Sequence, residues 1–412
     1  GYLDDPAAIA LNPLHLPFLD LGSAPPSNAY LSAQALLAPE TWFPLRLMVC
    51  EVCWLVQTED HAGCEALFTE EYAYFSSFSS SWLAHAQAYV LAMRNRFQLD
   101  ARSCVMEVAA NDGYLLQYVQ AAGIPCYGVE PTASTASAAR AKGIETIERF
   151  FGVALAEELA AAGRQADLMV ANNVLAHVPD INDFVSGFAR LLKPQGVATF
   201  EFPHLLRMVQ GCQFDTAYHE HYSYLSLTAV SRIFAANGLA VFDVEELSTH
   251  GGSLRVFAQR LDGGLRPVES AVDALLAVER EAGMLLPEFY GQFQLQPSRI
   301  VRELLSFLIV QAHDGRKLAA YGAAAKGNTL FNFAGVRPHL LPYVVDKNPA
   351  KQDKFLPGNR IPVVSEAHLR ADRPDFVLIL PWNLKTEVMD QLAYVRAWGG
   401  KFVTAVPHLE VL

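Results

Sequence analysis

Residues 105–113 read VMEVAANDG, and the stretch around them decides the fold. A short apolar run with one embedded acid breaks into small residues and ends at Gly113. That is the pattern of a buried strand running into a tight turn. A helical GYLLQYVQAAG (113–123) follows, and CYGVEP (126–131) is the next strand. An Ala-rich helix leads on to ADLMVANN (166–173) and then, after a helix starting near Asp180, to GVATFEFP (196–203). Strands alternating with helices mean a parallel sheet covered by helices. LAVFDVEELS (239–248) and SLRVFAQR (253–260) close the region across a short HGG turn, so one of them runs antiparallel.

On the carboxyl side, the spacing gives a long helical stretch from about 263 to Asp314 and then a second α/β set. Its strands are KLAAYGAAA, LPYVVD, DFVLILPW and KFVTAVP, and its helix NLKTEVMDQLAYVRAWG stops at Gly399–Gly400. On the amino side, residues 1 to about 84 have little periodicity and carry Pro, Ser and aromatic clusters. The expected division is therefore 1–84, 85–262 and 263–412.

The 412 residues are 52% hydrophobic and 18% charged, which excludes a disordered chain. No apolar run reaches the length of a membrane helix. The net charge of −12 makes a poor nucleic-acid binder. The first residues, GYLDDPAAIALNP, do not read as a secretory signal, and six cysteines are too few for a disulfide scaffold. A cytoplasmic protein is expected, with neither nucleic acid nor membrane as partner.

Ligands of open α/β sheets sit beyond the carboxyl ends of the strands. Glu107, Ala109, Asn111 and Gly113 lie at the first such end, with Asn111 and Asp112 expected to cap the next helix. Glu130 and Pro131 end the second strand, where an acid suits the two hydroxyls of a ribose. The glycines of GxGxxG are missing, which argues against a pyrophosphate and favours S-adenosylmethionine over NAD or FAD. Asn172, Asn173 and His177 follow a later strand on the same edge. The densest cluster is QFDTAYHEHYSYLS, with Tyr218, His219, Glu220, His221, Tyr222 and Tyr224. It is not HExxH, and His with Tyr suits proton abstraction beside oxyanion stabilisation. HGGSLR (250–255) is a second polar turn, equally readable as a hairpin. YGAAAKG (321–327) opens a helix after a strand, an anion-binding arrangement to which Lys326 adds charge.

Taken in order, EVAANDGYLL, GVEP, ANNVLAHVPD, FDTAYHEHYSY, HGGSLR, YGAAAKG and LPWN resemble the sugar C-methyltransferase family from about residue 18 onward. The resemblance implies three parts: a small zinc-binding-type domain, a class I Rossmann-like domain for S-adenosylmethionine, and a C-terminal Rossmann-like domain for the nucleotide sugar. It implies a dTDP-4-keto-6-deoxyhexose substrate methylated at C3, or at C5 in some relatives, through an enolate. His221 would be the base, Glu220 would tune it, and Tyr218, His177 and Tyr72 would line the site. Tyr321, Gly322, Lys326, Asp346, Trp382 and Asn383 would hold the nucleotide sugar, Lys326 at the diphosphate.

The family's first CxxC is missing, because the matching positions fall near Ala8 and Leu11. Only Cys50 and Cys53 remain, and structural zinc normally takes four ligands. Three readings stand: zinc lost and the pair left as buried thiols, which is the favoured one; zinc retained with substitutes among His15, His61 and Cys64; or an altered N-terminus. A methyltransferase of the same architecture with a non-sugar acceptor, and a non-catalytic binding relative, are the competing functions.

Overall fold

A computed structural model describes residues 14–59 and 75–412. The chain opens with β1 (Leu16–Ala24), β2 (Phe43–Val49) and β3 (Val56–Thr58). Next come helix α1 (Ser80–Phe97), β4 (Val105–Val108), α2 (Leu116–Ala121), β5 (Cys126–Val129), α3 (Ala133–Ala141), β6 (Thr146–Ile147) and α4 (Val153–Ala161). The middle region continues with β7 (Ala166–Asn172), α5 (Ile181–Leu191), β8 (Leu192–Pro203), α6 (Leu205–Gln210), β9 (Ser223–Tyr224), α7 (Leu227–Ala236), β10 (Leu239–Leu247) and β11 (Ser253–Arg260). Helices α8 (Ser270–Glu281), α9 (Pro287–Gly291) and α10 (Leu295–His313) lead to β12 (Leu318–Tyr321) and α11 (Ala325–Ala334). Strands β13 (Val344–Val345), β14 (Val363–Val364), β15 (Phe376–Ile379), β16 (Lys401–Thr404) and β17 (Glu410–Val411) complete the third sheet.

The central sheet has the order β10-β11-β8-β7-β4-β5-β6. β4, β5, β6, β7 and β8 pair in parallel, and β11 runs antiparallel to both β8 and β10. This is the expected parallel sheet, and β11 is the reversed strand. Alternate residues of β4 serve opposite faces: Met106 and Val108 join one apolar cluster and Val105 the other. The order reverses at β4, between β5 and β7, which opens the ligand crevice there.

The third sheet, β14-β13-β12-β15-β16-β17, is parallel except for β17. The amino-terminal sheet, β1-β2-β3-β9, is antiparallel. Its last strand comes from the middle of the chain, where Val56 pairs with Tyr224 and Gln57 with Ser223. One apolar core runs through all three regions and includes Phe18, Leu47, Phe214, Phe293, Leu330 and Val403.

Two expectations are corrected. The long helix before residue 314 is three helices, broken at Gly283–Leu286 and again at Gln292–Gln294. Pro287 occupies the first turn of α9, where its missing N–H is harmless. Neither Asn111 nor Asp112 caps a helix. α2 starts at Leu116 with no side-chain cap, because the backbone first makes an extra turn through Gly113 at φ +75°.

Candidate active site

The carboxyl edge of the central sheet carries unusual backbone. Ala109, Asn111 and Asn173 have φ of 54°, 50° and 56°, left-handed values that cost non-glycine residues about 1 kcal/mol or more. Glu130 holds this turn in place. Its carboxylate accepts from the Asn111 N–H at 2.9 Å and from the Thr132 N–H, next to Pro131, also at 2.9 Å. Asn111 in turn accepts the Ser76 N–H at 2.9 Å, and Asp112 pairs with Lys142 at 3.3 Å. Asn172 ends β7 buried, and neither atom of its amide has a partner among the described residues. A buried amide left so is costly unless a ligand meets it. Glu107 is fully buried inside β4, and burial pushes its carboxyl well above the usual range against a hydrogen bond from Tyr114. Acid, orphaned amide and permissive turn together fit S-adenosylmethionine.

The YHEH segment lies beside this edge, and its tautomers are fixed by the backbone. His221 Nδ1 donates to the Thr216 carbonyl at 3.0 Å, so Nε2 carries the lone pair. That Nε2 accepts the Tyr218 hydroxyl at 2.7 Å. His177 Nδ1 donates to the Glu220 carbonyl at 2.8 Å, and its ring meets His221 edge-on at 4.6 Å. Burial lowers both imidazoles, His221 well below the ordinary value, so both are neutral near pH 7. Glu220 accepts from Asn28 at 3.1 Å through one oxygen, while the other has no partner among the described residues. Burial raises its carboxyl. Tyr72 lies outside the described residues.

The third region closes the site from the far side. Lys326, on the first turn of α11, donates to Asn383 Oδ1 at 2.8 Å and sits 4.5 Å from the Trp382 ring. Trp382 Nε1 donates to Asp215 at 2.8 Å. Burial pushes the Asp215 carboxyl up to about 6, against the pull of Lys326 and Trp382. Tyr321 accepts from Gln391 at 2.6 Å, and Asp346 lies 3.9 Å from Lys351. Lys351 donates to the Ala323 carbonyl at 2.7 Å. Gly322, at φ +90°, is required at its turn, since a Cβ there would meet Pro381 Cδ at 2.5 Å. The six residues expected at the nucleotide sugar thus fall into two groups. Lys326, Trp382 and Asn383 face Asp215, whereas Tyr321, Gly322 and Asp346 surround the start of α11 with Lys351.

Two buried acids beside the site, Glu201 and Asp215, escaped sequence reading, whereas His250 lies in the HGG turn that the sequence marked. Glu201 lies buried in β8, where it accepts from His85 at 2.8 Å and pairs with Arg255. An acid inside an apolar strand, TFEFP, was the available signal. His250, at φ 55°, sets its ring 5.5 Å from Trp82, which stacks on His85 at 4.9 Å. Burial lowers His250 to about 4. Asp215 carried no signal, because its partners lie 111 or more residues away.

Cys50 and Cys53 are buried in a turn closed by the Trp54 N–H on the Cys50 carbonyl at 2.8 Å. Among the described residues no group of three His, Cys, Asp or Glu side chains gathers to hold a metal, and His61 and Cys64 lie outside them. Cys50 and Cys53 supply two of the four ligands that a structural zinc takes.

The strand order with its reversed β11, and a ligand edge at β4 and β7, define a class I methyltransferase that uses S-adenosylmethionine. The family described as "Methyltransferase domain" matches residues 82–244, and "C-methyltransferase C-terminal domain" matches 248–407. The family described as "Putative zinc binding domain" matches residues 9–68. The chain is 33% identical over 402 residues to the C-methyltransferase NovU of Streptomyces niveus, covering 96% of this chain and 94% of that protein. The chain therefore belongs to the C-methyltransferase family. Among solved structures, the PH0226 protein of Pyrococcus horikoshii is 13% identical over 47% of this chain and 99% of its own, with a TM-score of 0.37. The magnesium protoporphyrin IX methyltransferase of Synechocystis with bound SAM is 17% identical over 44% of this chain and 78% of its own, with a TM-score of 0.32. Among the described residues no helix is long and apolar enough to cross a membrane.

Proposed function

We propose that this enzyme methylates carbon next to the ketone of a nucleotide-activated 4-keto-deoxysugar, a dTDP-hexose at C3 or C5. The observation that carries the reading is the Tyr218–His221 pair, whose acceptor nitrogen is aimed at the Tyr218 hydroxyl and whose proton is parked on a backbone carbonyl. A carbon acid needs such a neutral, oriented base. S-adenosylmethionine supplies the electrophilic methyl group when bound, and Glu130, Asn172, Asn173 and the turn Glu107–Gly113 would hold it.

His221 takes up the proton from the carbon beside the carbonyl by way of Tyr218, which passes its own hydroxyl proton to Nε2 as it receives the carbon's. The C–H pair becomes the enolate C=C bond and the carbonyl π pair moves onto oxygen. The enolate carbon then forms a bond to the methyl carbon while the C–S bond breaks. The electrons return to sulfur, leaving S-adenosylhomocysteine, and the ketone is restored. His177 and Glu220 orient the sugar in this scheme. The turn Tyr321–Gly322 with Asp346, Lys326, Trp382 and Asn383 would bind the nucleotide sugar.

The test is calorimetric titration of dTDP into protein saturated with S-adenosylhomocysteine, with UDP and GDP alongside. Selective dTDP binding is expected. Loss of all nucleotide binding with the homocysteine product still bound would favour a non-sugar acceptor on the same architecture.

A further inference from the structure

Two half-buried lysines flank the start of α11, and they face different groups. Lys351 stands at the turn itself, donating to the Ala323 carbonyl at 2.7 Å with Asp346 at 3.9 Å and the Tyr30 ring at 5.3 Å. Lys326 points the other way. Its ammonium has one hydrogen-bond partner among the described residues, Asn383 at 2.8 Å, and two further N–H donors. Burial lowers it, and Asp215 only partly compensates, since the two do not come within ion-pair distance. A buried ammonium so sparsely met is unfavourable unless a negative ligand completes it. The groups that feel its charge are His221, His250 and Asp215, all on the methyltransferase side of the cleft.

We propose that Lys326 is a catalytic residue of the reaction chamber, where its free N–H donors hold the developing oxyanion of the acceptor's ketone, and that Lys351 is the cation for the diphosphate. The inference rests on the methyl-acceptor reading above and moves Lys326 from the nucleotide to the reacting carbonyl. The geometry suits the chemistry. The oxyanion forms as His221 gains its proton, so a fixed cation near a neutral base stabilises the enolate without competing for that proton. Asn383 and the Trp382 face hold the lysine, and Asp215 holds Trp382. The four groups come from two regions of the chain, Asp215 from the middle one and the other three from the third.

The experiment compares Lys326→Met with Lys351→Met in the full chain. Affinity for whichever of dTDP, UDP or GDP the parent binds is measured by calorimetry, turnover is measured with dTDP-4-keto-6-deoxyglucose, and His221 is titrated by NMR in protein labelled at histidine. Lys326→Met is expected to leave nucleotide affinity within about threefold, to cut turnover by about 10² to 10³, and to raise the His221 midpoint. Lys351→Met is expected to weaken nucleotide binding by about tenfold and to leave His221 where it was. A tenfold nucleotide loss in Lys326→Met, or an unmoved His221 midpoint, overturns the proposal. If the parent binds none of the three nucleotides, the sugar reading fails, while the placement of Lys326 is still decided by His221.

Discussion

At the scale of single residues, the site depends on which nitrogen of His221 carries the lone pair. The Thr216 carbonyl settles it, because a carbonyl can only accept. His221→Ala should lower turnover by about 10² to 10⁴ while S-adenosylhomocysteine affinity, read by calorimetry, stays within about threefold. Turnover within tenfold of the parent would remove His221 as the base. The acid limb of log kcat should lie below pH 6.5, since burial pulls His221 well under the ordinary imidazole value. The sign follows from the base being active when neutral: lowering its pKa extends activity to more acidic pH, and a limb midpoint at or above 6.5 would contradict the assignment. Glu130→Ala removes the acceptor of the Asn111 and Thr132 N–H groups and should weaken S-adenosylhomocysteine about tenfold. Unchanged affinity would place the product elsewhere.

Among secondary-structure elements, α8 is tied to the middle region by one buried carboxylate as well as by the apolar packing of Val272 and Leu275. Glu279, on α8, accepts the N–H of Leu227 at 2.7 Å and of Thr228 at 2.8 Å, the Thr228 hydroxyl at 2.6 Å and His204 at 2.7 Å. It therefore serves the open N-terminus of α7 from another helix, beside the Ser226 side chain that bonds Ala229 N. Burial pushes this carboxyl up, and the hydrogen bonds from His204 and Thr228 outweigh that and hold it below the usual range. Glu279→Ala should cost about 3 kcal/mol in urea unfolding near pH 7. A folded-state pKa that is depressed gives stability above the unfolded value and loses it as pH falls through the folded one. The gap between parent and variant should therefore narrow below about pH 4, and a gap that widened there would refute the account.

Elements were also where the sequence was most readable. β4, β5, β7 and β8 fell where apolar runs met small or polar residues, and Asp180 caps α5 by accepting from Asn182 and Asp183. The breaks around α9 were hidden because its flanks keep helical periodicity and only Gly283 and Pro287 interrupt them. Within the site, the groups local to one turn were legible: Tyr218 with His221, and Ala109 through Gly113. Glu201 with His85, and Asp215 with Trp382, were not. Each is a pair across more than a hundred residues, and a contact of that kind leaves no period in the chain.

Across the whole molecule, the apolar core does not respect the three regions. Phe18 of β1 stacks flat on Phe293 at 4.6 Å and meets Tyr290 edge-on at 6.0 Å. Trp54, beside Cys53, stacks on the same Tyr290 at 5.6 Å. Gly358 and Arg360 bind Glu40 at 2.7 and 2.9 Å, and Leu31 bridges Phe355. Phe18→Ala should cost about 3 to 5 kcal/mol and lower one calorimetric transition for the whole chain. Two transitions, with only the smaller one moved, would show that the regions unfold separately.

That the amino-terminal sheet borrows β9 has a consequence for synthesis. Val56 leaves the ribosome 168 residues ahead of its partner Tyr224. At ordinary elongation rates that is a wait of about 10 to 30 s. Through that interval the outer edge of β3 is an unpaired strand on a nascent chain, and Phe18 waits longer still for Phe293. A segment translated much later thus completes the amino-terminal sheet, which makes the emerging chain a client for whatever shields bare strand edges at the tunnel mouth.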